Sequence, residues 1–512
     1  MKKVILSVVT LLSASIMIAQ SNSSNVSQTG NDNAADVTQV GSNNASMTIQ
    51  EGNSNSAIAI QGSDLFNSRD GIVEQTQVGD KNSATAQHEE DLNEVYQEQI
   101  GNGNSASATQ NLAFFGGSNF TSQSQEGNKN TGVVSQEGTA NTAFQIQIGD
   151  DNAATTAQEG DFNFSGILQD GASNVATMAQ VGTFNNSEQF QVGEANMAEG
   201  EQWGEGNSLL QDQRGGGNVA TSLQGSSFFD SRGGQVQQIQ IGDENTAFAN
   251  HEEDDNTILQ GQVGDGNSAS AAQNLGSFGG NNFSIQVQFG NGNIAEVSQN
   301  GSNNSGDQDQ NGDENLAGSS QSGTDNTSVQ AQSGIGNLAT SIQGSFFFDS
   351  RGGVVDQSQS GEENTAFAQH EEDNNVITQL QIGNGNSASA TQNLEAFGGE
   401  NFSQQFQVGN GNIGEVSQEG DFDGGVFEAV GNIASQIQLG DNNTAITDQN
   451  GAGNISDILQ DGTMNVALDT QFGTDNFTFV TQTGDMNTST ILQNGSNNSA
   501  VVTQTGGGTI TP

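Results

Sequence analysis

The sequence has no cysteine, and its single proline is Pro512, the last of 512 residues. The first absence excludes disulfides and thiol chemistry, so stability must come from hydrogen-bonded ladders and packing. The second suits strands stacked without interruption, because proline cannot donate to a ladder. There is one Trp and one Tyr, and hydrophobic residues make up only 31% of the chain. No long apolar-periodic segment follows residue 20, which argues against a globular enzyme of this length. Cations are scarce: eight Lys and Arg face 60 Asp and Glu, for a net charge of −52. That balance excludes nucleic acid and anionic membranes as primary partners. Low hydrophobicity with high charge can signal disorder. Here only 13% of residues are charged and the interior of the chain is proline-free, which opposes that reading.

Residues 1–19 read as a secretory signal peptide. Lys2 and Lys3 form a positive start, Val4 to Ile18 an apolar stretch short for a membrane span, and Ala19 a small residue at a cleavage edge. Its removal takes two lysines and no acid, carrying the charge to −54. The expected location is secreted, extracellular or at the cell surface. Residues 20–507 form one continuous repeat region, with 508–512 as a tail.

Internal repetition dominates what is present. From Gln28 the chain reads QTGNDN, from Gln39 QVGSNN and from Gln50 QEGNSN, in steps of eleven residues. The unit is Q-x-G-x-x-N followed by x-[A/S]-x-x-x. It recurs at Gln28, Gly30, Asn33; Gln39, Gly41, Asn44; Gln147, Gly149, Asn152; Gln158; Gln299, Gly301, Asn304; and Gln482, Gly484, Asn487. Gly-x-x-Asn is turn chemistry, since both residues tolerate positive φ. The seven residues from Asn to Gln alternate as a strand does, so Asn33, Ala35, Val37 and Gln39 share one face. That face is polar at both ends and small or apolar between, and is assigned to the interior. Buried amides are costly alone. Stacked above identical amides, each donates to one neighbour and accepts from the other.

These residues carry a family resemblance. The pattern S/N-x5-Q-x-G-x-x-N-x-A-x-x-x-Q, seen at Asn141 to Gln158 and Asn476 to Gln493, resembles the curlin repeat over about residues 21–507. The resemblance implies an all-β fold: a β-solenoid or cross-β stack of strand–turn–strand rungs, about 22 residues and two units per rung. With roughly forty strands this makes about twenty rungs, and an axis on the order of 95 Å. It also implies a secreted subunit of curli-type amyloid fibres in a biofilm matrix. Its partners would be further copies of itself, an outer-membrane secretion channel and a minor curlin nucleator. The chain departs from the family in its length and its extended turns.

Those turns fall in three similar segments, 61–125, 224–288 and 343–407, with a further insertion at 421–430. Each segment holds a long turn with an SR pair, then HEED, then a Phe-Gly-Gly turn. The three are two steps apart, so in a two-strand rung they decorate one edge. Arg69, Arg232 and Arg351 are placed to neutralise the acids that follow, a weak effect at a surface. The sharper alternative is a divalent cation on Glu89, Glu90 and Asp91, on Glu252, Glu253 and Asp254, or on Glu371, Glu372 and Asp373, since hard cations need several oxygens. No cofactor is expected; calcium is the one ligand expected to modulate assembly. A catalytic His-Glu pair at His88, His251 or His370 lacks a nucleophile and an oriented triad. The Phe pairs read as small satellite cores under the loops or as lateral contacts. Stacked turn acids read as solvated charge that also restrains assembly. The functions in competition are a matrix-forming fibre subunit and a monomeric secreted solenoid that binds a ligand or surface. A glycan-cleaving β-helix would need inserted carboxylates in a cleft.

Overall fold

The computed structural model describes residues 21–63, 65–112, 116–275, 279–345, 349–393, 399–420 and 431–506. The expected signal peptide, the tail, the 421–430 insertion and the Phe114, Phe115 and Phe346 to Phe348 groups lie outside them. The described residues form strands and turns with no helix, stacked as parallel β-solenoid coils, about 21 in all and about 22 residues apart. Contacts divide the chain into two compact units, Met1–Gly206 and Asn207–Pro512.

Each unit is built of two parallel sheets. In the N-terminal unit the first sheet begins Ser23–Thr29, Ala45–Glu51, Ile72–Val78 and the second begins Ala34–Gln39, Ser56–Gln61, Ser83–His88. The chain alternates between them at every turn. Register is strict: Gln pairs with Gln and Gly with Gly from coil to coil, as in Gln147↔Gln169 and Gly149↔Gly171. Plain coils set ladder residues 22 apart. Where a long turn intervenes the spacing becomes 26 or 27, and across residues 421–430 it becomes 31. Extra residues thus go entirely into turns, and the strands stay aligned.

Burial alternates along nearly every strand, as the period of two demands. Asn174, Ala176, Met178 and Gln180 are all at most 1% exposed. The apolar core is thin and made of small side chains. One cluster in the N-terminal unit joins Ala59, Val73, Ala86, Val95 and Ala108. In the C-terminal unit one joins Val355, Ala368, Ile377 and Ala390 and another Ala445, Ile458, Ala467 and Val480. On the outer face of the first sheet, Tyr96, Phe120, Phe144 and Phe164 form a ring ladder with centroids 5.6, 5.3 and 5.9 Å apart.

The turn glycine is required twice over. Gly149 has φ +107, and a Cβ there would sit 2.0 Å from the Gly171 carbonyl oxygen of the next coil. The second positive φ falls on the residue before the ladder Asn, at Asp32 or Asp151 for example, and not on Asn33 or Asn152. This corrects the expectation that the ladder Asn itself adopts it; that Asn is occupied by hydrogen bonds between coils. Gly149→Ala should therefore cost about 2 kcal/mol or more, from the left-handed backbone and the clash together. Gly318, with open space around its missing Cβ, should accept Ala with little change. Hydrogen exchange of the flanking strands measures both.

Candidate functional site

The features most able to act are the amide ladders and the edge that bears the long turns. A ladder Gln within the stack uses both its N–H groups. Gln147 Nε2 donates to Gln169 Oε1 at 2.8 Å along the stack and to the Thr131 carbonyl at 3.0 Å across to the other sheet. Gln158 does the same with Gln180 and Thr142. Gln28 donates to Gln50, Gln39 to Gln61, Gln299 to Gln321 and Gln482 to Gln504, at 2.7 to 2.8 Å. In every pair the earlier residue is the donor.

The Asn ladder bonds mainly to backbone. Asn152 accepts the Asn174 N–H on Oδ1 at 3.0 Å and donates Nδ2 to the Gly171 carbonyl at 2.8 Å. Asn33 donates to Gly52, Asn44 to Ser68, Asn304 to Gly323 and Asn487 to Gly506. Gly30, Gly41, Gly301 and Gly484 all hold positive φ between the Gln and Asn ladders. The middle of the interior face is not always small or apolar. A second Gln ladder runs Gln75, Gln97, Gln123, Gln145 in the N-terminal unit. Another begins Gln211, Gln238, Gln260, Gln286 in the C-terminal unit. The repeated Q-x-Q of these strands was the available sequence signal.

Every long turn described follows a strand of the second sheet, as do all three HEED turns, so within each unit they share one edge. Arg69, well exposed, pairs with the partly exposed Asp91, and the Arg232 backbone N–H donates to Asp254 at 3.1 Å. The acidic triplets do not converge. Glu89 and Glu371 turn inward and are nearly buried, while Glu90, Glu253 and Glu372 stand at positive φ on the turn. Burial and then the neighbouring acids push the carboxyls of those last three up. Among the described residues no three His, Cys, Asp or Glu side chains form a metal-binding group. Glu252 and Asp373 complete the triplets without changing this. Phe228 is 89% exposed, so it caps no satellite core.

The histidines lie inside. His88, His251 and His370 occupy the Gln position of the second sheet's ladder and are fully buried. Each Nδ1 sits 3.3 to 3.4 Å from a serine Oγ, of Ser68, Ser231 and Ser350. Those serines donate to Asn44, Asn207 and Asn326, so each serine oxygen accepts the Nδ1–H. This assigns Nε2 as the acceptor, and Gln343 Nε2 lies 3.2 Å from it in His370. Spent on serine, the histidine does not donate down the stack. The next ladder oxygens, on Gln110, Gln273 and Gln392, are buried without a partner. The ring fits because glycine replaces the ladder Asn beside it: a Cβ on Gly71, Gly234 or Gly353 would lie 2.0 to 2.3 Å from the imidazole. Sequence reasoning placed these histidines on the decorated edge; the missing Asn before Ile72, Gln235 and Val354 was the signal that locates them.

Two outcomes follow from this interior. Gln169→Leu leaves Gln147, Gln191 and the Ala153 carbonyl without their partner and should cost about 3 kcal/mol, read as lost hydrogen-exchange protection. Burial lowers the pKa of His88 and His251 to about 4 and of His370 to about 3. The unfolded chain then takes the proton first. Stability is intact above the ordinary histidine value and falls as pH drops from 6.5 toward 4 or 3, by a few kcal/mol per ring. The raised carboxyls act in the opposite sense, gaining on acidification. Exchange rates in Ser83–His88, Thr246–His251 and Thr365–His370 should rise relative to plain coils below pH 6.5, and His→Gln at all three should remove that rise.

Residues 30–62, 149–182 and 473–506 each match the model of the Curlin associated repeat. No curated protein matches the chain. The three matched stretches carry the same Gln, Gly and Asn ladder positions described above. The chain carries curlin repeats, found as three matches to that family's model.

Proposed function

We propose that this chain is a secreted, non-enzymatic structural subunit of a curli-like extracellular fibre, and that it polymerises end to end. The observation that carries the reading is the one-way sense of the ladders. Among the described residues nothing donates to the Oε1 of Gln28 or Gln39, while Gln504 Nε2 donates to the Thr488 carbonyl and to no further glutamine. The first coil of the N-terminal unit offers ladder acceptors and the last coil of the C-terminal unit a ladder donor, so a second copy can continue the ladder at either. The first strand, Ser23–Thr29, is exposed throughout, an unpaired edge that templates pairing. Secretion through an outer-membrane channel and seeding by a minor curlin accompany this reading. Calcium or other cations that screen the turn carboxylates speed assembly in it. A monomeric adhesin is the second reading, favoured by Leu65 and Phe228, which stand 86% and 89% exposed on their turns.

The test uses the mature chain at micromolar concentration, with thioflavin fluorescence, electron microscopy and fibre diffraction. Fibres with a meridional spacing of about 4.7 Å are expected. A folded, β-rich chain that never polymerises would support the adhesin instead. Gln28→Leu with Gln39→Leu should leave the monomer folded and slow seeded growth about fivefold per lost hydrogen bond, at about 1 kcal/mol each.

A further inference from the structure

Within the C-terminal unit one interior column runs Val416, Thr447, Asp469, Ile491. Asp469 is 1% exposed, among side chains that are otherwise apolar or hydroxyl-bearing. Both of its carboxylate oxygens are buried without a hydrogen-bond partner. The hydroxyls of Ser456 and Thr478 face it without bonding it, and the Thr478 hydroxyl is spent elsewhere. Thr478 Oγ1 donates to Gln493 Oε1 at 3.2 Å and accepts from Gln471 Nε2 at 3.0 Å. Ser456 Oγ lies 3.2 Å from Thr447 Oγ1.

No cation is at hand, since the last one in the sequence is Arg351. The charged groups on the strands packed around Asp469 are Asp448 on Thr444–Asn450 and Asp457 and Asp461 on Ile455–Asp461. All three sit at outward positions of their strands and carry the wrong sign. The strands Phe477–Thr483 and Thr488–Asn494 carry no charge. An ionised carboxylate here is buried with neither a counter-ion nor a full set of donors, which is strongly unfavourable. A protonated one is neutral and gains an O–H that a hydroxyl oxygen can accept.

We propose that Asp469 is a proton-operated latch, which closes the final coils of the C-terminal unit when protonated and loosens them when ionised. The segment it controls is Val466–Phe472 through Ser499–Thr505, held otherwise by the small cluster of Ala445, Ile458, Ala467, Val480 and Ile491. Burial pushes the Asp469 carboxyl up to about 6, against smaller opposing effects of Ser456 and Thr478. A carboxyl raised on folding binds its proton more tightly in the closed state. Closure is therefore favoured at low pH, weakens as pH climbs from the ordinary Asp value to about 6, and changes no further above it. The sign is opposite to that of the buried histidines, which lie in other coils. The latch is a property of the single chain and is read without assembly, so its failure would leave the fibre reading untouched.

The experiment is hydrogen exchange on the soluble full chain at about pH 5 and about pH 8, corrected for intrinsic rates, with the plain-coil strands Phe164–Ala172 and Val175–Thr183 as internal reference. In the native chain the opening of Val466–Thr505 relative to the reference should rise about tenfold from the lower to the higher pH. Asp469→Asn and Asp469→Val should each abolish that dependence and leave the segment protected at both. Asp469→Val carries the test alone if the amide disturbs folding, since valine already occupies the same column at Val416. Equal protection of the native segment at both pH values would overturn the proposal. So would a Val variant that keeps the native pH dependence.

Discussion

The structure depends on stacked side-chain amides that each satisfy their neighbours. A Gln buried singly would forfeit solvation with nothing in return. Repeated in register, each Gln accepts from the coil before it, donates to the coil after it and reaches across to the opposite sheet. The ladder therefore does two jobs: it fixes register along the axis and it ties the two sheets together. That second role explains how a core made largely of alanine, with so few large side chains, suffices. Polar interiors are demanding because any unmatched group is costly. The chain meets the demand by making nearly every coil the same.

The period, the strand alternation and the inward face were all legible in the sequence, because each follows from identity at fixed spacing. Gln28 to Gln50 or Gln147 to Gln169 can be paired on paper. What an amide bonds to was less legible. Asn and Gln look equivalent in the repeat, yet the shorter side chain, besides its own kind, reaches the turn-glycine carbonyl and the N–H of the next coil, whereas the longer one reaches its own kind along the stack and a carbonyl of the opposite sheet. The second Gln ladder from Gln75 was hidden for a similar reason: Q-x-Q places both residues inward, and a composition rule expects something apolar there. The histidine sites were the furthest from view. His88 reads as the start of an acidic turn until its neighbour Gly71, far away in sequence, is seen to stand where an Asn should be.

Histidine and the paired glycine show how this fold admits variation at a cost. Each imidazole interrupts the Gln ladder and strands one glutamine oxygen beyond it. Each interruption coincides with a coil whose turns are long. Asp469 is a deviation of another kind, a charge in a column with no room for one. Both sorts of site give acid or base a hold on an interior that is otherwise indifferent to pH, and they pull in contrary directions.

The long turns leave register untouched whether they add a few residues or many. Since loop closure costs rise only slowly with length, the number of coils and the content of the edge are separable in this architecture. Duplication adds coils, and insertion lengthens turns, without either disturbing the other. Such a scaffold spaces whatever its turns carry by whole coils, in the manner of pegs on a rail, and the sequence between them sets the interval.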